Sequence, residues 1–85
     1  MIEPINQIFQ YLKQIGGDII NGFEFCRRRA GLTQIEAAKA IGVTQGTISQ
    51  WENGNAYPPG ERVRVVVDVY GCSYDELFEK KEETA

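Results

Sequence analysis

The chain has 85 residues, 42% of them hydrophobic, with a formal net charge of −3. That is one small domain, near the lower size at which a core sustains itself. It holds only two cysteines and no histidine, so a zinc site, an imidazole base and a cofactor centre are not expected, and neither is enzymatic activity.

Pro4 opens a stretch in which Ile5, Ile8, Phe9, Leu12 and Ile15 share one face at three- and four-residue spacing. This predicts an amphipathic helix within residues 1–17, ended by Gly16-Gly17. Its polar face carries almost no lysine or arginine, which argues against a membrane-surface helix. Asp18 or Asn21 caps the next helix, which carries Ile19, Phe23 and Cys26 toward the core. Cys26 and Cys72 are expected to act as small buried hydrophobes.

Residues Leu32 to Gly54 read LTQIEAAKAIGVTQGTISQWENG and hold most of the information in the chain. Thr33 caps a helix, and Glu36 three residues later completes a capping box. Ala37, Ala38 and Ile41 form one apolar face at helical spacing. Gly42 stands where the chain leaves that helix with positive φ. Val43 fills the angle between two helices, and Thr44 caps the second. Ile48 and Trp51 point inward from that second helix, while Gln45, Gly46, Ser49, Gln50 and Asn53 fall on the other side. Two short helices, a tight turn and an outer face of small and amide side chains are the sequence form of a helix-turn-helix. Such a unit lays its second helix in the DNA major groove.

Further on, Val63 to Tyr70 is rich in β-branched residues and reads as a strand by propensity. It fits a helix equally well, with Val63, Val66, Val67 and Tyr70 on the inner face. Ser73 caps a last short helix, Glu76 closes a second capping box, and Leu77 and Phe78 turn inward. Glu79 to Ala85 reads as a frayed, solvated tail.

The segment from Phe23 to Phe78 resembles the helix-turn-helix domain of the lambda-type phage repressor and Cro family, also called the XRE family. The residues that carry the resemblance are Arg27, Gly31-Leu32-Thr33-Gln34, Glu36, Ala38, Ile41-Gly42-Val43-Thr44-Gln45, Ile48-Ser49, Trp51-Glu52-Asn53-Gly54, Pro58 and Gly71. The resemblance implies a helix at Val63–Tyr70, and hence an all-α, five-helix fold with an extra N-terminal amphipathic helix. The expected organisation is that helix over 1–17, the DNA-binding domain over 18–79 and a flexible acidic tail over 80–85. The resemblance also implies roles. Arg27 pairs with Glu52 and ties the first helix to the recognition helix. Gln34 bonds a phosphate, Gln45 contacts adenine, and Gln50 is a second base-reading position. Where some members of the family read a base at the place of Gly46, this chain has no side chain. The candidate DNA-contacting set is therefore Gln34, Thr44, Gln45, Gly46, Thr47, Ser49, Gln50, Asn53 and Asn55.

A net charge of −3 argues against DNA until its distribution is considered. From Glu24 to Arg64 six basic and four acidic residues leave +2, and from Val65 to Ala85 two basic and six acidic residues leave −4. Arg28, Arg29, Lys39, Arg62 and Arg64 are candidate phosphate contacts. The expectation is a transcriptional regulator, a repressor, bound as a homodimer to a palindromic double-stranded operator, with the N-terminal stripe joining the two copies or, as the alternative, packing on its own domain. The competing class is a protein-interaction module, an antitoxin or adaptor, on the same fold. There is no run of about 18 apolar residues for a membrane span. No secretory leader pattern is present, and the expected location is the cytoplasm. No small-molecule ligand is implied.

Overall fold

The computed structural model describes residues 18–83. In chain order these form β1 (Asp18–Asn21), α1 (Gly22–Arg29), α2 (Gln34–Ile41), α3 (Gln45–Glu52), α4 (Gly60–Tyr70), α5 (Tyr74–Leu77) and β2 (Lys80–Glu83). The architecture is all-α, with five helices among the described residues and one small antiparallel ribbon added at the chain ends. The amphipathic helix predicted within 1–17 lies outside the described residues.

The helix boundaries follow from local hydrogen bonds. At α2 the Thr33 side chain accepts from the Glu36 amide at 3.1 Å, and the Glu36 carboxylate accepts from the Thr33 amide at 2.9 Å. The same reciprocal box opens α5 between Ser73 and Glu76. Thr44 caps α3 by accepting from the Thr47 amide. Each cap satisfies amides that the first turn of a helix leaves without partners. Gly42 ends α2 at φ 90°, a left-handed conformation that a side chain would strain.

Val63 to Tyr70 is helical despite its β-branched content. Val63, Val66 and Tyr70 are buried on one side of α4, while Arg64, Val65 and Asp68 face outward. Packing of that stripe against a core of Phe23, Ala37, Ile41, Ile48, Trp51 and Leu77 outweighs a propensity difference worth only a few tenths of a kcal/mol per residue. The small residues Ala37 and Ala38 let α2 and α3 approach closely, and the Phe23 and Trp51 rings lie 6.0 Å apart across α1 and α3.

Three expectations are corrected. The first helix does not include Ile19. Asp18–Asn21 is extended, in keeping with its paired isoleucines, and α1 starts at Gly22 with the Asn21 side chain accepting from the Glu24 amide at 3.0 Å. The tail is not frayed from Glu79 onward, because the backbone of Lys80–Glu83 pairs antiparallel with β1, Asp18 opposite Glu83 and Asn21 opposite Lys80. Phe78 does not turn fully inward. Leu77 is buried, but Phe78 is exposed, with its ring edge-on to Phe23 at 5.4 Å and beside the exposed rings of Tyr57 and Tyr74. A four-residue helix has too little arc to bury two successive bulky side chains.

Gly22 occupies a position of close approach. A Cβ there would overlap the backbone carbonyls of Glu76 and Leu77, so the start of α1 lies directly on the end of α5.

Candidate nucleic-acid interface

The candidate interface is built on α3, and two tethers from the first helix hold it in place. Asn21, while capping α1 through Oδ1, donates from Nδ2 to the Trp51 carbonyl at 2.7 Å. Six residues along, Arg27 donates from Nε to Glu52 Oε2 at 2.5 Å and from a second nitrogen to Oε1 at 3.1 Å. The remaining arm of the guanidinium donates to the Leu32 carbonyl at 2.7 Å. The two side chains are 11% and 4% exposed, so this is a nearly dry bidentate pair. The Glu52 carboxylate holds the Arg27 guanidinium above its already high range, against the opposing effect of burial. The pair fastens the C-terminal end of α3 to α1.

From Glu52 the hydrogen bonding continues outward. Gln34 donates from Nε2 to Glu52 Oε1 at 3.0 Å, and Gln45 donates from Nε2 to Gln34 Oε1 at 3.1 Å. A single chain thus runs from Arg27 in the interior, through Glu52 and the head of α2, to the first residue of α3. Gln34 is half-buried and Gln45 is exposed.

The outer face of α3 carries the remaining members of the set. Thr44, Gln45, Gly46, Gln50 and Asn53 are exposed, and Thr47 and Ser49 are half-buried at its margin. The hydroxyls of Thr44 and Thr47 lie 3.0 Å apart, and Asn53 donates to Ser49 Oγ at 3.4 Å. Gly46 has open space around it, since a Cβ there would meet only Thr44 Oγ1, at 3.8 Å. Its lack of a side chain is not demanded by packing and leaves a gap in the row of polar groups. Asn55 follows in the exposed loop, where its amide donates to the Gln50 carbonyl at 3.0 Å. Ile48 and Trp51 are buried behind this face.

The cationic candidates divide. Lys39 and Arg64 are exposed. Arg62 is half-buried and donates to the Ile41 carbonyl at 3.3 Å, closing the C-terminus of α2. Arg29 makes two hydrogen bonds to the Glu76 carboxylate, at 2.7 and 3.1 Å, and lies over the Phe25 ring. It is therefore committed to joining α1 and α5. Arg28 lies 3.6 Å from Glu24 on its own helix.

Sequence reasoning did not reveal the second function of Asn21. An asparagine before a helix signals a cap, but nothing local signals that its amide nitrogen reaches a carbonyl thirty residues away. Among the described residues no group of His, Cys, Asp or Glu converges to hold a metal ion. No helix among them is long and apolar enough to cross a membrane.

A family model described as helix-turn-helix matches residues 24–77, more than half of the chain and all of α2 to α5. No curated protein and no solved structure matches.

Proposed function

This chain belongs to the helix-turn-helix family of the lambda-repressor type, a DNA-binding fold, and from that premise we propose that it is a sequence-specific transcriptional repressor. The reading rests on one observation above others. The exposed outer face of α3 presents Gln45, Gly46 and Gln50, with Asn53 just past its end, on a helix held from behind by Asn21 and Arg27. Small and amide side chains on an exposed helix face suit the edges of base pairs in the major groove. Gln45 reads adenine and Gln50 a second base pair. Thr44, Thr47, Ser49 and Asn55 lie where sugar and phosphate flank the groove, and Gln34 bonds a phosphate beside Gln45.

One recognition helix covers only a few base pairs. The active species is therefore a homodimer on a palindromic operator in the cytoplasm, with the stripe Ile5, Ile8, Phe9, Leu12 and Ile15 supplying apolar surface for the contact. The few exposed cations favour dependence on base readout over non-specific attraction to phosphate.

A second reading, a protein-binding antitoxin or adaptor, draws support from the exposed aromatic cluster of Tyr57, Tyr74 and Phe78. Selection of bound sites from a random duplex pool decides between the two. A repressor enriches a two-fold symmetric site with binding that weakens steeply as salt rises, and an adaptor enriches none. Within an enriched site, Gln45→Ala should relax preference at one base pair per half-site and cost about 1–3 kcal/mol.

A further inference from the structure

We propose that Glu52, buried at the end of the recognition helix, is a positioning residue that sets which base Gln45 accepts. The inference rests on the reading of Gln45 as a base-contacting residue and adds to it the origin of its selectivity.

A carboxylate paired with a guanidinium offers only acceptors. Glu52 is 7% exposed and takes two hydrogen bonds from Arg27, so its position is fixed by a partner that offers only donors. Gln34 can meet this carboxylate only with its NH2 group, as it does at 3.0 Å. A side-chain amide that turns its nitrogen inward must turn its oxygen outward. Gln34 Oε1 therefore faces Gln45, which must answer as a donor, at 3.1 Å. One N–H of Gln45 is thereby committed.

What remains on Gln45 is one N–H and the carbonyl oxygen. Adenine presents N7 as an acceptor and N6–H as a donor in the major groove, which matches that remainder. Guanine presents two acceptors, N7 and O6, and would require both N–H groups of Gln45. The chain from Arg27 to Gln45 thus excludes the donor pattern that guanine needs. If Gln34 were free to rotate its amide by half a turn, its NH2 would occupy the Gln45 oxygen and release both N–H groups. The preference would then move toward guanine. A residue that faces the interior in this way governs discrimination at the groove through hydrogen-bond direction alone.

The test is competition binding of the full-length protein to paired duplexes that carry adenine or guanine at the base pair sensitive to Gln45→Ala. Gln34→Met keeps the length of the side chain, leaves the Arg27–Glu52 pair intact and cannot relay the polarity. It should lower the adenine-to-guanine ratio by about tenfold, the scale of one good bidentate contact. Glu52→Gln should lower the ratio as well, provided its circular dichroism spectrum matches that of the parent. A merely structural role would weaken both duplexes equally and leave the ratio unchanged. A parental ratio in Gln34→Met, with the ratio lost in Gln45→Ala, would overturn the relay while leaving base reading by Gln45 intact. No sensitive base pair in Gln45→Ala would overturn the base-reading premise, and the relay with it.

Discussion

Arg27 on α1 and Glu52 at the end of α3 are joined by two hydrogen bonds, and both side chains are almost wholly excluded from solvent. Removing one member of such a pair leaves the other charge buried without compensation, at a cost of about 3–5 kcal/mol. The neighbouring Arg28 meets Glu24 at 3.6 Å on a solvated face, where an i,i+4 pair contributes about 0.3–0.5 kcal/mol. Arg27→Ala should therefore lower the melting temperature far more than Arg28→Ala. Equal melting temperatures in thermal denaturation would contradict the energetic role assigned to the pair.

Gly22 supports a different prediction. Its missing Cβ makes room for the carbonyls at the end of α5, and a backbone obstacle cannot swing away as a side chain would. Gly22→Ala should destabilise the protein by about 1–3 kcal/mol, as overpacking of a close contact does. Gly46→Ala, with open space around it, should leave stability unchanged or raised by a few tenths of a kcal/mol. Urea midpoints of the two variants give the comparison, and a Gly22→Ala midpoint at the parental value would show that α5 adjusts freely.

Tyr70 ends α4 with its ring buried and its hydroxyl without a hydrogen-bond partner among the described residues. Burial pushes its phenol well above the ordinary tyrosine range. An unsatisfied buried hydroxyl carries a desolvation cost of about 1–3 kcal/mol that no contact offsets. Tyr70→Phe keeps the packing and removes that cost, so it should be as stable as the parent or more so. A clear drop in denaturant midpoint would indicate that the hydroxyl holds an interaction in solution.

Glu76 gives the fold an acid-sensitive point. The Arg29 guanidinium and the Ser73 amide both bond its carboxylate and hold its pKa down to about 2, from an ordinary value of 4.5. A depressed carboxylate pKa contributes stability that is complete above the unfolded value and is lost as pH falls through the folded one. The contribution should thus fade between about pH 4.5 and 2, as the attachment of α5 to α1 weakens. Glu76→Gln lacks this titration, so its deficit in melting temperature relative to the parent should shrink as the pH is lowered from 6 toward 3. A constant deficit over that range would assign the role of Glu76 to packing rather than charge.

What the amino-acid sequence determined by itself is everything that closes over a few residues. The caps at Thr33, Thr44 and Ser73, the left-handed exit at Gly42 and the outward set on α3 all depend on spacings of four residues or fewer, or on the period of a helix. These are local geometries that a given residue order can satisfy in only one way. The pairing of Arg27 with Glu52 was legible only through family resemblance, because twenty-five residues separate them. Tertiary structure alone decided the rest. It made Val63–Tyr70 a helix against its β-propensity, as only the family resemblance had implied, because one face of it had a core to enter. It drew β2 out of an apparently solvated tail, because an extended Asp18–Asn21 offered backbone partners. It gave Asn21 its reach to Trp51 and Arg29 its reach to Glu76, across thirty and forty-seven residues. Contacts of that span exist only after the chain has paid the entropy of closing the loops between them, and nothing in the neighbourhood of either residue records the partner at the other end.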